Sequence, residues 1–238
     1  MLYRECCGSK QRPLSFHRVL EIVAASRDCY PDGQNKRPYG NVRLSPFDKY
    51  HHAWFSHWRF LQHVVDAYVN DNDVVVEFGS GWGSTPLLHL MCQDRWDLFT
   101  IETDICWQQQ FEFLFCNRHR LLAGEYAGYS AEYFGRIRVA FVDHGPHERD
   151  RIPTIEHYRD GTDVFVVHDY DFTPFDRQID ALNFKYNKVH RSDTRSTIAL
   201  SDVVPVHLMK DVERREFERL PTRVPSAVRS KRLRTGKS

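Results

Sequence analysis

The stretch Val74-Val75-Val76-Glu77-Phe78-Gly79-Ser80-Gly81-Trp82-Gly83-Ser84-Thr85-Pro86 decides the fold. Its three consecutive valines do not alternate with polar residues, the pattern of a short strand buried on both faces of a parallel sheet. Asp71-Asn72-Asp73 breaks the chain just before it, and Pro86, favoured in a first helical turn, opens a helix to about Cys92 just after the glycines. Closely spaced glycines carry mechanical meaning between a strand and a helix. Gly79, Gly81 and Gly83 lack a Cβ, are free to take positive φ, and can bring main-chain N–H groups against a ligand at the positive end of the helix.

Outward from this turn, the pattern predicts a strand at Leu98 to Ile101, a helix from about Ile105 to Arg120 and a weak strand at Leu121-Leu122. Further strands are expected at Arg138 to Val142 and Val164 to Val167, then a helix at Phe175 to Asn183 and strands at Lys188 to Arg191 and Thr197 to Leu200. Alternating strands and helices predict an α/β sheet of mostly parallel order. Upstream, residues 1–45 mix a short helical pattern with turn-rich sequence, and from Ser45-Pro46 the residues Trp54, Trp58, Leu61, Val65 and Tyr68 recur at helical spacing. The expected organisation is an N-terminal helical extension over 1–69, the α/β domain over 70–210 and a basic, flexible tail over 211–238 that ends in Arg229-Ser230-Lys231-Arg232-Leu233-Arg234.

The 238 residues carry 41% hydrophobic and 27% charged side chains, close to globular averages, so disorder and coiled coils are excluded. Lys and Arg number 33 against 32 Asp and Glu. A net charge of +1 provides no general field for phosphate backbones, so nucleic acid is an unexpected partner. No apolar run is long enough to span a membrane and no secretory leader is evident, so a cytoplasmic protein is expected. The six cysteines include no C-x-x-C pair and are read as reduced thiols. Phosphate-loop, nucleophile-elbow and H-E-x-x-H motifs are missing. His51, His52, His57 and His63 share no clean ligand face at their spacing and are read as solvated or packing residues.

About twenty residues after the glycines, Thr100-Ile101-Glu102 ends the next strand in a carboxylate, where it can accept both hydroxyls of a ribose; Asp104 is the fallback. Glu77 through Thr85 resembles the E/D-x-G-x-G-x-G signature of class I S-adenosylmethionine-dependent methyltransferases, and Glu102 falls at that family's ribose-binding acid. The resemblance covers roughly residues 70 to 205. It implies a Rossmann-like, seven-stranded sheet with an antiparallel last strand. It also implies that S-adenosyl-L-methionine lies against Glu77, Gly79, Ser80, Gly81, Trp82, Gly83, Ser84 and Glu102.

Two later strands each end in an acid: Phe141-Val142-Asp143-His144-Gly145-Pro146 and Val166-Val167-His168-Asp169-Tyr170-Asp171. If the strands are neighbours, Asp143 and Asp169 reach one rim of the ligand crevice. Methyl transfer needs an aligned acceptor and removal of its proton, so Asp143, His144 and Asp169 are the candidate catalytic residues, with His147 and His168 as further bases. The same segments are similar to the catechol O-methyltransferases. That likeness implies Mg²⁺ held by Asp143 and Asp169, although the family's asparagine and lysine are replaced by Tyr170 and Pro146. Asp143-x-Gly145-Pro146-x-x-Arg149 also resembles the plant glucuronoxylan O-methyltransferases, which implies a sugar-acid acceptor paired with Arg149 or Arg151. The expected function is O-methylation of a small-molecule or saccharide acceptor. Its alternative is a catalytically silent cofactor-binding or scaffold domain.

Overall fold

The computed structural model describes residues 56–92, 95–145, 150–192 and 195–212. The N-terminal pattern up to residue 55, His147, Arg149 and the basic tail lie outside the described residues. Helix α1 (Trp58–Tyr68) buries Trp58, Phe60, Leu61, Val64 and Val65 along one face, the spacing of an amphipathic helix. That face packs into the same core as Val75, Val139, Phe141, Val164 and Val166 on one side of the sheet.

The remaining elements follow as β1 (Val74–Phe78), α2 (Thr85–Cys92), β2 (Asp97–Glu102), α3 (Ile105–Gln108), β3 (His119–Ala123), α4 (Ala131–Phe134) and β4 (Ile137–Val142). Then come α5 (Arg151–Tyr158), β5 (Thr162–His168), α6 (Phe175–Ala181), β6 (Tyr186–Arg191) and β7 (Ser196–Ser201). The seven strands run in the order β3-β2-β1-β4-β5-β7-β6. β1 pairs in parallel with β2 and β4, β3 with β2, and β5 with β4, while β7 enters antiparallel to both β5 and β6. This is the class I methyltransferase arrangement, as expected. The central strands β1, β2 and β4 are buried at all but one position each, and β5 at every one of its positions. Among the described residues no helix is long and apolar enough to cross a membrane.

Two local differences from the sequence pattern matter for the site. The helix expected to reach Arg120 ends early: Asp104 caps α3 by accepting from the backbone N–H groups of Cys106 and Trp107, and the chain tightens into a 3₁₀ turn over Gln109–Leu114. Phe111 and Leu114, in the 3₁₀ segment, are buried before the chain turns to begin β3. Between β4 and β5, where the sequence pattern assigns no element, the chain forms α5, which accommodates Pro153 in its first turn, where an N–H has no intrahelical acceptor.

Candidate active site

The turn after β1 is stitched to both neighbouring strand ends. The Gly79 N–H donates to the Ile101 carbonyl at 2.9 Å, and the Asp143 N–H donates to the Phe78 carbonyl at 3.0 Å. Gly79 has φ +92°, and a Cβ there would lie 2.7 Å from the Asp143 carbonyl oxygen and the His144 Cα. Only glycine allows this approach of the β1 exit to the β4 exit. Gly81 and Gly83 do not share the requirement: of the three, Gly79 alone has positive φ, and a Cβ on Gly81 would meet Ser84 Oγ at an ordinary 3.5 Å. The turn continues directly into α2 and needs only one left-handed residue to do so.

Glu77 lies fully buried beneath the turn. It accepts from Thr85 Oγ1 at 3.0 Å and Thr100 Oγ1 at 2.7 Å, and Thr85 Oγ1 in turn accepts from the Gly81 N–H at 2.9 Å. Glu77 therefore shapes the turn from below. Burial pushes its carboxyl up to about 8, and the hydroxyls of Ser84, Thr100 and Thr85 offset only part of that. A folded-state value above the unfolded one makes this stability contribution complete below the ordinary 4.5 and progressively lost as pH rises through about 8. Glu77→Gln is thus expected to flatten the decline of urea-unfolding stability between pH 5 and pH 8, roughly the window between those two values. An unchanged decline would show that Glu77 is ionised in the folded protein.

Glu102 closes β2, and Asp104, in the cap, does not compete for its place. Glu102 Oε2 accepts from the Ser80 N–H and Ser80 Oγ, both at 2.9 Å, and Oε1 from the Asp104 N–H at 3.0 Å and the Tyr126 hydroxyl at 3.2 Å. Trp107 Nε1 donates to the Ser80 carbonyl at 2.6 Å, fixing the turn from the other side. Trp82 is half-buried against Phe111, with ring centroids 4.8 Å apart. The ring of Tyr126 stacks on His144 at 3.8 Å and 15°. Ser84 and Gly83 are buried at the head of α2.

β4 and β5 are adjacent and parallel, so Asp143 and Asp169 meet at one rim. Between them sits Arg151, the first residue of α5, whose side chain is only 6% exposed. Its Nε donates to the His144 carbonyl at 2.9 Å and its Nη1 to the His168 carbonyl at 2.7 Å. Its Nη2 donates to Asp143 Oδ1 at 3.0 Å and lies 3.4 Å from Asp169 Oδ2. His168 Nδ1 stands 3.2 Å from Asp143 Oδ2, and its Nε2 stands 2.7 Å from Ser56 Oγ. His57, packed edge-on against His168 at 4.6 Å and tilted on Phe141 at 4.8 Å, completes the cluster from the start of α1.

The charges in this cluster set one another. Burial works against the Asp143 carboxylate, but His168 and Arg151 outweigh it and hold the group below the ordinary carboxylate range. Burial likewise works against a proton on His168, and the Asp143 and Asp169 carboxylates outweigh it, raising His168. Asp169 moves the other way: burial, with Asp143 nearby, raises its proton affinity despite His168 and Arg151. Asp169 also takes φ +56°, a left-handed conformation that aspartate tolerates better than most side chains. Burial pushes His144 down to about 4, and its Nε2 rests 3.0 Å from Thr154 Oγ1.

Two sequence expectations do not fit this geometry. Magnesium bridging Asp143 and Asp169 would need near-octahedral oxygen ligands, whereas a guanidinium occupies the space between the carboxylates and the next nearest donors are imidazoles. Arg151 is badly placed to pair with an acceptor carboxylate too, because each of its three nitrogens already donates within its own chain and the side chain is buried. Sequence reasoning missed Ser56, His57 and Tyr126 at the site. His57 and Ser56 stand more than eighty residues from the strand ends they meet, and no local spacing reports that contact.

No protein-family profile matches the sequence, and no curated protein does. Among solved structures, the chain is similar to a candidate rRNA methylase from Clostridium thermocellum, with 12% identity and a TM-score of 0.50 over 62% of this chain and 96% of the other. It also aligns with an rRNA methylase from Streptococcus thermophilus, at 10% identity and TM-score 0.45 over 63% and 97% of the two chains. A third match is spermidine synthase from Thermotoga maritima, at 17% identity and TM-score 0.44, where 68% of this chain aligns with 61% of that one. At these identities the likeness is one of fold.

Proposed function

We propose that the chain is an S-adenosylmethionine-dependent methyltransferase that methylates an oxygen of a small-molecule or sugar-acid acceptor. The supporting observation is the meeting, at the carboxyl ends of adjacent strands, of the Gly79 turn, the Glu102 carboxylate and the Asp143 and Asp169 pair. In an open α/β sheet that rim is where ligands bind.

The donor set suits the cofactor. Glu102, with Ser80 holding one of its oxygens, would take the ribose hydroxyls once the Tyr126 hydroxyl yields its place on Oε1. Bound S-adenosylmethionine would supply an electrophilic methyl group on a sulfonium. Asp169, whose proton affinity is raised by burial and which retains 16% side-chain exposure, takes the acceptor's proton at the rim. Arg151 keeps Asp143 anionic and ties both strand ends together, so the acceptor meets a fixed edge.

Calorimetric titration of the full chain with S-adenosylhomocysteine tests the cofactor half. Binding is expected in the wild type and should be about 10- to 100-fold weaker in Glu102→Ala, the loss of one or two hydrogen bonds to a charged group. No heat from folded wild-type protein at millimolar ligand would overturn the proposal. Tight binding without methylation of any phenol or uronic-acid acceptor would favour the silent cofactor-binding alternative.

A further inference from the structure

His57 is 1% exposed, and neither of its ring nitrogens has a hydrogen-bond partner among the described residues. A buried polar group without a partner costs about 1–3 kcal/mol, so an imidazole is an expensive way to fill a space that phenylalanine would fill. The ring is aimed into the Asp143 and His168 cluster: one ligand atom from each of His57, Asp143 and His168 falls within 4.8 Å of the other two.

We propose that these three residues form a binding site for a divalent transition metal of the zinc class. Two imidazoles, each neutral once it ligates, and one carboxylate suit zinc, iron or cobalt rather than magnesium or calcium, and the proton that His168 shares with Asp143 leaves as the ion binds. The supporting contacts have the form that metal sites use. Ser56 Oγ lies 2.7 Å from His168 Nε2 and Arg151 holds Asp143 Oδ1, so the ligating atoms are His168 Nδ1 and Asp143 Oδ2, now paired with each other at 3.2 Å, and an entering ion replaces the proton between them. Tetrahedral ligands at about 2.0–2.1 Å stand about 3.3 Å apart. The site would contract by rotation of the His57 ring, which no hydrogen bond restrains among the described residues. Asp143 retains 22% side-chain exposure, which provides access from the rim and a fourth coordination position facing it.

The site lies beside the proposed acceptor rim but does not depend on methyl transfer, and it is read without any turnover. The metal-stripped 238-residue chain is titrated with Zn²⁺ by calorimetry, and the loaded sample is measured by zinc-edge X-ray absorption. The expected result is one tight equivalent with nitrogen and oxygen scatterers at about 2.0–2.1 Å, including two imidazoles. His57→Phe keeps the ring packing on Phe141 and removes both nitrogens; it should weaken binding at least about 100-fold, beyond what loss of an outer contact costs. Unchanged affinity in folded His57→Phe would overturn the proposal, as would absence of a tight equivalent in the wild type. If the variant fails to fold, the wild-type spectrum decides: sulfur scatterers at about 2.3 Å, or fewer than two imidazoles, would sink the site.

Discussion

Arg151→Met is expected to destabilise the protein by about 3–5 kcal/mol, the cost of breaking a buried ion pair from one side. Methionine fills the channel of the side chain but offers nothing to the His144 and His168 carbonyls or to the carboxylate of Asp143 that Nη2 now faces. The effect should depend on pH with a definite sign. Asp143 is held below its unfolded value, so its contribution is present above about pH 4 and disappears as pH falls through the folded value. His168 supplies the larger share of that contribution and Arg151 the rest, so the variant lacks only the Arg151 share and the gap between the two proteins should narrow on acidification. Urea melts at neutral pH and at acid pH well below about 4, the ordinary carboxylate value, would check this. A loss below about 0.5 kcal/mol at neutral pH, the range of ordinary surface substitutions, would mean that the guanidinium does not hold the two strand ends together.

The second large effect is expected at Gly79. Alanine there must adopt φ +92°, which costs a residue with a Cβ about 1–2 kcal/mol, and its methyl group would meet the main chain of Asp143 and His144 at 2.7 Å. Backbone cannot rotate aside as a side chain can, so overpacking adds about 1–3 kcal/mol. Gly79→Ala should therefore lose about 2–5 kcal/mol in total. It should also displace the Asp143 end of β4, so affinity for S-adenosylhomocysteine is expected to fall together with stability. The matched control is Gly81→Ala, whose Cβ has room. Equal losses at the two positions would show that the close approach of β1 to β4 is not what requires glycine.

Much of this site could be read along the chain because the features concerned are local. The valine run, the turn behind it and the acid closing the next strand each sit within a few residues of the signal that reveals them, and all three stand as expected in β1, Gly79 and Glu102. What could not be read depends on contacts between distant segments. Arg151 reads in sequence as a candidate partner for an acceptor carboxylate, and only the eight-residue helix α5 delivers it between two acids of its own chain. His57 reads as a solvated or packing residue from its spacing along a helix, but the neighbours that define it come from β4 and β5. The 3₁₀ tightening after α3 escaped because apolar spacing over so few residues does not distinguish a helix of 3.0 residues per turn from one of 3.6.

The Tyr126 hydroxyl on Glu102 and its ring on His144 carry a consequence for kinetics. A ligand arriving at that carboxylate finds an internal tenant, so association there is an exchange, in which one hydrogen bond and one stacked face are given up as others form. Observed affinity then reports the difference between guest and tenant, scaled by the fraction of molecules in which the tyrosine has stepped aside.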